Sequence, residues 1–174
     1  MNRTERQRRN FLAAGSTALA MAMAGCSSVV LDRIGDDDED AEEEDDAIEA
    51  PENMPEEVHE YLLDNNTQLY EGELEDLTGE DSITIMNGAG DNDVAYDPPA
   101  VRIDAGTEVT WEWTGRGGAH NVESTGGDFE FENPEGLIDE EGHTWSYTFE
   151  EAGSATYHCI AHTAQGQHGA VIVE

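Results

Sequence analysis

Ala155-Thr156-Tyr157-His158-Cys159-Ile160-Ala161-His162-Thr163-Ala164-Gln165-Gly166-Gln167-His168-Gly169-Ala170-Val171-Ile172-Val173-Glu174 reads as two segments of strand-like alternation joined by a short loop. The loop places a thiol, Cys159, three residues before His162, and a further histidine, His120, follows a Gly-Gly-Ala turn upstream. Two imidazoles and one thiolate form the donor set of copper electron-transfer centres. Such centres are completed by a weak axial Met, Gln or backbone oxygen. Gln167 is the axial candidate.

Outward from that run the chain keeps the period of a sheet. Ser82 to Met86 alternates and breaks at Asn87-Gly88-Ala89-Gly90, and Pro99 to Ile103 ends at the turn Asp104-Ala105-Gly106. Thr107 to Trp113 sets Val109, Trp111 and Trp113 on one face and Glu108, Thr110 and Glu112 on the other. His143 to Phe149 repeats this, with Trp145, Tyr147 and Phe149 facing in; Ser154 to Cys159 and Gly169 to Glu174 supply the last strands. Short strands with turn signals at this spacing predict an all-β Greek-key sandwich over residues 81–174. About ninety-five residues suffice for one core.

A short helix and connector are expected over residues 54–80, packing on the sandwich. Pro55 suits the first helical position, Met54, Val58, Tyr61 and Leu62 share one face, and Asp64-Asn65-Asn66 stops the helix. Asn65-Asn66-Thr67 is a glycosylation sequon, a weak signal.

Residues 26–53 read as a tether. The block Asp36 to Asp46 has no apolar periodicity, and like charges in such a run keep a chain extended and disordered. Residues 1–25 read as a leader: Arg8-Arg9-Asn10-Phe11-Leu12 is a twin-arginine pattern, and the small-residue run Ala13 to Gly25 is too short to span a bilayer. Met23-Ala24-Gly25-Cys26 resembles a lipobox, implying thioether lipidation of Cys26 and a lipid anchor on the extracellular face of the membrane. With Cys26 so used, Cys159 has no disulfide partner in its own chain, and a metal ligand is the economical reading.

The formal net charge is −34, and every basic residue is arginine. Cleavage before Cys26 leaves 3 basic against 40 acidic residues, a net −37. Molar salt shortens the Debye length to about 3 Å and removes most of the resulting self-repulsion, so the acidity reads as halophilic adaptation. Nucleic acid is excluded as a partner, because phosphate binding needs a basic face.

Gly118-Ala119-His120-Asn121, together with Tyr157-His158-Cys159-Ile160-Ala161-His162 and Gly166-Gln167-His168-Gly169-Ala170-Val171, resembles the halocyanins, plastocyanin-like blue copper proteins of haloarchaea. The resemblance covers residues 55–174, with Ala161 where the family has proline and Gln167 where it has the axial methionine. It implies a cupredoxin fold, one type 1 copper ion cycling between Cu(I) and Cu(II), and His120, Cys159, His162 and Gln167 as its ligands. Asn121 would tie the two ligand loops together outside the ligand set.

The expected function is membrane-anchored one-electron transport by a monomer between redox proteins of the membrane respiratory chain, with an axial Gln lowering the potential. The chain offers no general base, nucleophile or substrate pocket, so it reads as a carrier and not an enzyme. The alternative is a copper-binding or docking module of a copper enzyme complex with little redox cycling. The remaining histidines have plainer expectations. His59 falls on the polar face of the helix and should be solvated, and His143 starts a strand at the surface or an edge. His158 points away from Cys159 by strand alternation, and His168 should be exposed near the metal end.

Overall fold

A computed structural model of the chain describes residues 48–174. The expected leader, the expected lipidation site at Cys26 and the acidic block Asp36 to Asp46 lie outside them. The described elements run α1 (Glu56–Asp64), β1 (Glu75–Asp76), β2 (Ser82–Ala89), β3 (Ala95–Asp97), β4 (Ala100–Ile103), β5 (Glu108–Trp113), β6 (Glu123–Gly127), β7 (Thr144–Thr148), β8 (Gly153–His158) and β9 (His168–Val173).

Alternation in β5 decides the packing. Val109, Trp111 and Trp113 are fully buried, and their sheet is ordered β3-β2-β5-β7, with β5 antiparallel to β7 and parallel to β2. The facing sheet is ordered β1-β4-β9-β8-β6. It contributes Val101, Ile103, Ala155, Tyr157, Val171 and Val173 to the same core, and the two layers form the expected β-sandwich. Phe149 is fully buried as predicted, whereas Trp145 and Tyr147 are only partly buried. The reason is position: β7 is an edge strand, so its inward rings are covered on one side only. Trp145 stacks on Trp111 with ring centroids 5.2 Å apart.

The helix begins one residue later than the sequence suggests. Pro55 has ψ 135, an extended conformation, and stands as the N-cap while its carbonyl accepts the amides of Val58 and His59. Met54, Val58 and Leu62 bury their side chains with Tyr70, Ala100, Ala170 and Ile172, so α1 lies across β8 and β9 on the outer face of their sheet. Leu62 is fully buried in this second cluster. Leu62→Ala is therefore expected to destabilise the domain by about 2–5 kcal/mol, the range for a buried leucine truncated to alanine, measurable as a lowered urea midpoint.

His59 corrects the expectation of a solvated side chain. It is buried, its Nδ1 lies 2.6 Å from the Tyr70 hydroxyl, and its Nε2 donates to the Ile48 carbonyl at 2.8 Å. A helical wheel records only the face toward the sheet, and here residues 48–53 and the segment after the helix close over its other side. His168 also differs from expectation. It is buried, with Nδ1 2.8 Å from the Tyr61 hydroxyl and Nε2 donating to the Thr163 carbonyl at 3.1 Å, because α1 covers the outer face of β9. His143 precedes β7, half-buried, its ring edge-on to Trp113.

Candidate metal centre

The two ligand loops meet at one end of the sandwich because the backbone pins both. After β5 the chain turns through Gly115 to Gly118. Gly117 has φ +75, and a Cβ there would overlap the Asp93 carbonyl, so a side chain is excluded twice. His120 then exchanges both backbone hydrogen bonds with Ile138 at 2.8 Å, and Trp113 Nε1 donates to the His120 carbonyl at 2.9 Å.

The second loop is a continuation of the β8–β9 hairpin. Cys159 N–H donates to the Gln167 carbonyl at 3.0 Å, and inside that pair the His162 N–H donates to the Cys159 carbonyl. A 3₁₀ turn, Thr163–Gln165, ends at Gly166 with φ +83. A Cβ on Gly166 would overlap the Asn66 carbonyl, and Gln68 donates to the carbonyls of Gly166 and Gln165. The segment following α1 thus braces the ligand loop from outside the sandwich.

His120, Cys159 and His162 bring one donor atom each within 4.8 Å of the others. Cys159 Sγ is 4.0 Å from His120 Nδ1 and 3.4 Å from His162 Nδ1. Thiolate and imidazole bonds of about 2.3 and 2.1 Å to a first-row ion, at a trigonal angle, would set sulfur and nitrogen about 3.8 Å apart. The donor set fits a metal at its centre. His120 Nε2 donates to the Arg116 carbonyl at 2.7 Å, which fixes the tautomer and turns the Nδ1 lone pair inward.

Gln167 is fully buried, which removes the possibility that it faces solvent. Its Oε1 lies 2.8 Å from His120 Nδ1 and 3.0 Å from His162 Nδ1, while its Nε2 donates to Asn87 Oδ1 at 2.8 Å. Asn121 lies between the loops: its Oδ1 accepts the Ile160 N–H at 2.9 Å, and its carbonyl accepts the Tyr96 hydroxyl at 2.6 Å. His158 points to the opposite face, its ring 5.9 Å from that of His168. Asn87 escaped the sequence reading. Its signal was there: in Ile83, Ile85, Asn87 it is the polar residue at an inward-facing position of β2.

Electrostatics divide the two imidazoles. Burial disfavours the His120 cation, but the Cys159 sulfur, the Arg116 carbonyl and the Gln167 oxygen outweigh it and raise its pKa above the ordinary histidine value. Burial and the neighbouring His120 charge lower that of His162. A raised folded pKa means that protonation of His120 stabilises the metal-free protein below the unfolded value near 6.5, and that this stabilisation is lost as pH rises through the folded value. Copper needs the deprotonated ring. Acidification through that window is therefore expected to weaken copper uptake, by up to about tenfold in dissociation constant per pH unit for one competing proton, while the stability gained at His120 opposes the loss on protonating His158, His162 and His168, whose pKa values are lowered. Titrations of the metal-free protein with Cu(II) between pH 5 and 8 check the sign for copper.

Residues 83–174 match the family described as copper binding proteins, plastocyanin/azurin family. The halocyanin of Natronomonas pharaonis is 44% identical over 169 residues, 97% of each chain. The plastocyanin of Scenedesmus fuscus is 29% identical over 98 residues, covering 53% of this chain and 99% of that one. A solved structure of an amicyanin mutant in the Cu(I) form is 29% identical, covers 54% of this chain and 83% of that one, and has a TM-score of 0.44. With that family match spanning the sandwich and its His-Cys-His cluster at the loop end, the chain belongs to the plastocyanin/azurin family of copper-binding cupredoxins.

Proposed function

We propose that this electron-carrying cupredoxin holds its single type 1 copper through His120, Cys159 and His162 with Gln167 as axial ligand, and works from a lipid anchor on the outer face of the cell membrane. The observation that carries the reading is the convergence of two Nδ1 atoms, one sulfur and one amide oxygen on a buried point. The bound ion supplies the one-electron chemistry, passing between Cu(I) and Cu(II). The residues around it hold its geometry still. Backbone hydrogen bonds fix both ends of the Cys159 to Gln167 loop, the Arg116 carbonyl fixes the His120 ring, and Asn121 links one loop to the other. A scaffold that changes little between oxidation states keeps the reorganisation on electron transfer small.

His162 is the half-exposed member of the set, flanked by exposed Ile160 and Ala161, whereas His120, Cys159 and Gln167 are fully buried. Electrons enter and leave at the His162 edge. The twin-arginine leader, the Cys26 anchor and the halophilic acidity support a location outside the cell, with redox proteins of the membrane respiratory chain as partners; 97% coverage of a halocyanin supports the same reading.

Reconstitution in high salt with one equivalent of Cu(II) tests the centre. An intense thiolate-to-copper band with narrow copper hyperfine splitting and a reversible one-electron wave is expected. A copper-loaded protein that fails to cycle would instead make this a binding or docking module. For the anchor, Cys26→Ser should move the protein from membranes to the medium.

A further inference from the structure

We propose that Asn87 is a positioning residue for the copper centre, turning the Gln167 amide so that its oxygen rather than its nitrogen faces the metal. The proposal rests on the axial role of Gln167 stated above and adds the residue that makes an amide usable there. An amide side chain is ambiguous: oxygen and nitrogen occupy nearly the same space, and only the oxygen has a lone pair to offer a cation. Something must choose between the two orientations. Asn87 Oδ1 lies 2.8 Å from Gln167 Nε2 and accepts from it, which leaves Gln167 Oε1 aimed at the two Nδ1 atoms.

Three observations make this a device rather than an incidental contact. Asn87 occupies an inward position of β2 in line with Ile83 and Ile85, where the alternation calls for an apolar residue, and it is fully buried. Its Nδ2 has no hydrogen-bond partner, so the arrangement leaves a buried donor unsatisfied. The orientation it enforces also sets an oxygen against the neutral His120 ring. The hydrogen of His120 is engaged by the Arg116 carbonyl, so a neutral His120 ring presents a lone pair at 2.8 Å from the Gln167 oxygen. Two acceptors face each other there. Rotating both amides together would point Gln167 Nε2 at the imidazoles as a donor and let Asn87 Nδ2 bond Gln167 Oε1. A positive centre among the imidazoles, a metal ion or a proton on a ring Nδ1, rewards the arrangement observed.

The test is a double-mutant cycle on the copper-loaded full chain. Asn87→Leu removes the acceptor at similar volume, and Gln167→Met supplies a thioether that needs no orienting. Asn87→Leu alone is expected to raise the potential by about 59 mV or more, a tenfold shift toward Cu(I), and to change the copper hyperfine pattern. In the Gln167→Met background the same substitution should leave potential and spectrum where Gln167→Met put them. Asn87→Asp, which keeps an acceptor for Nε2, should retain the wild-type hyperfine pattern and covers the case in which the leucine variant does not fold. In the metal-free protein the Gln167 amide protons should exchange faster with solvent in Asn87→Leu than in wild type.

An unchanged potential and spectrum in Asn87→Leu would overturn the proposal, as would a shift that persists in the Met background. If Gln167→Met itself changes neither potential nor spectrum, the axial reading falls and takes the role of Asn87 with it; if Gln167→Met acts and Asn87→Leu does not, only the positioning role falls.

Discussion

Serine in place of Cys159 is expected to abolish the intense visible absorption of the copper-loaded protein and to broaden its copper hyperfine splitting to that of an ordinary tetragonal site. The band of a type 1 centre is a charge transfer from thiolate sulfur to Cu(II), and Cys159 is the one cysteine among the described residues. A serine oxygen is harder, and its hydroxyl stays protonated near neutral pH where a metal-bound thiol does not. Its neighbours would remain, since Cys159 is held by its own N–H to the Gln167 carbonyl and by its carbonyl to the His162 N–H, neither of which involves the side chain. The fold should therefore survive. Burying a hydroxyl where sulfur packed against the core costs about 1–3 kcal/mol, well short of typical domain stability of about 5–15 kcal/mol. Far-ultraviolet circular dichroism separates the two effects: native ellipticity with no visible band isolates the loss of ligation, whereas a band that survives would show that Cys159 does not bind copper.

What could be read from the chain alone was whatever is encoded locally. β5 and β8 are strands of alternating apolar and polar residues, and period two survives without knowledge of the neighbours, while β9 is a short, mainly apolar run buried at every position. The proposed ligands Cys159, His162 and Gln167 lie in nine consecutive residues, so their grouping needs no fold at all. Strand β6, Glu123–Gly127, was invisible for the opposite reason: it is an exposed edge of polar residues and glycine, and its pairing with β8 comes from backbone hydrogen bonds. The same holds for β1, two acidic residues beside β4, and for β3, three residues before two prolines. His59 and His168 were misjudged because their burial depends on what closes over them from outside the element, namely Tyr70 and the Ile48 carbonyl for one and Tyr61 of α1 for the other. Asn87 belongs to the same class. Its partner is 80 residues away, and only the meeting of β2 with the ligand loop brings the two amides together.

Methionine in place of Gln167 is expected to raise the reduction potential by at least about 59 mV, equivalent to a tenfold change in the ratio of affinities for the two copper states. The argument is one of donor hardness. An amide oxygen is a harder base than a thioether and prefers Cu(II), so exchanging it for sulfur weakens the oxidised state more than the reduced one. The structure makes the exchange a fair test, since the side chain is fully buried, begins at the base of β9 and ends between the two Nδ1 atoms. Methionine is unbranched and close in length, so it reaches the same point without moving the backbone. The substitution also strips Asn87 Oδ1 of its hydrogen-bond donor and leaves a second polar atom of that buried amide unpaired, at a cost of about 1–3 kcal/mol. That penalty falls on both oxidation states alike and drops out of the potential, while it lowers the melting temperature. The two readouts therefore separate: a lower melting temperature with an unchanged potential would mean that Gln167 packs beside the copper without binding it, and a raised potential identifies the amide oxygen as the ligand that holds this centre toward Cu(II).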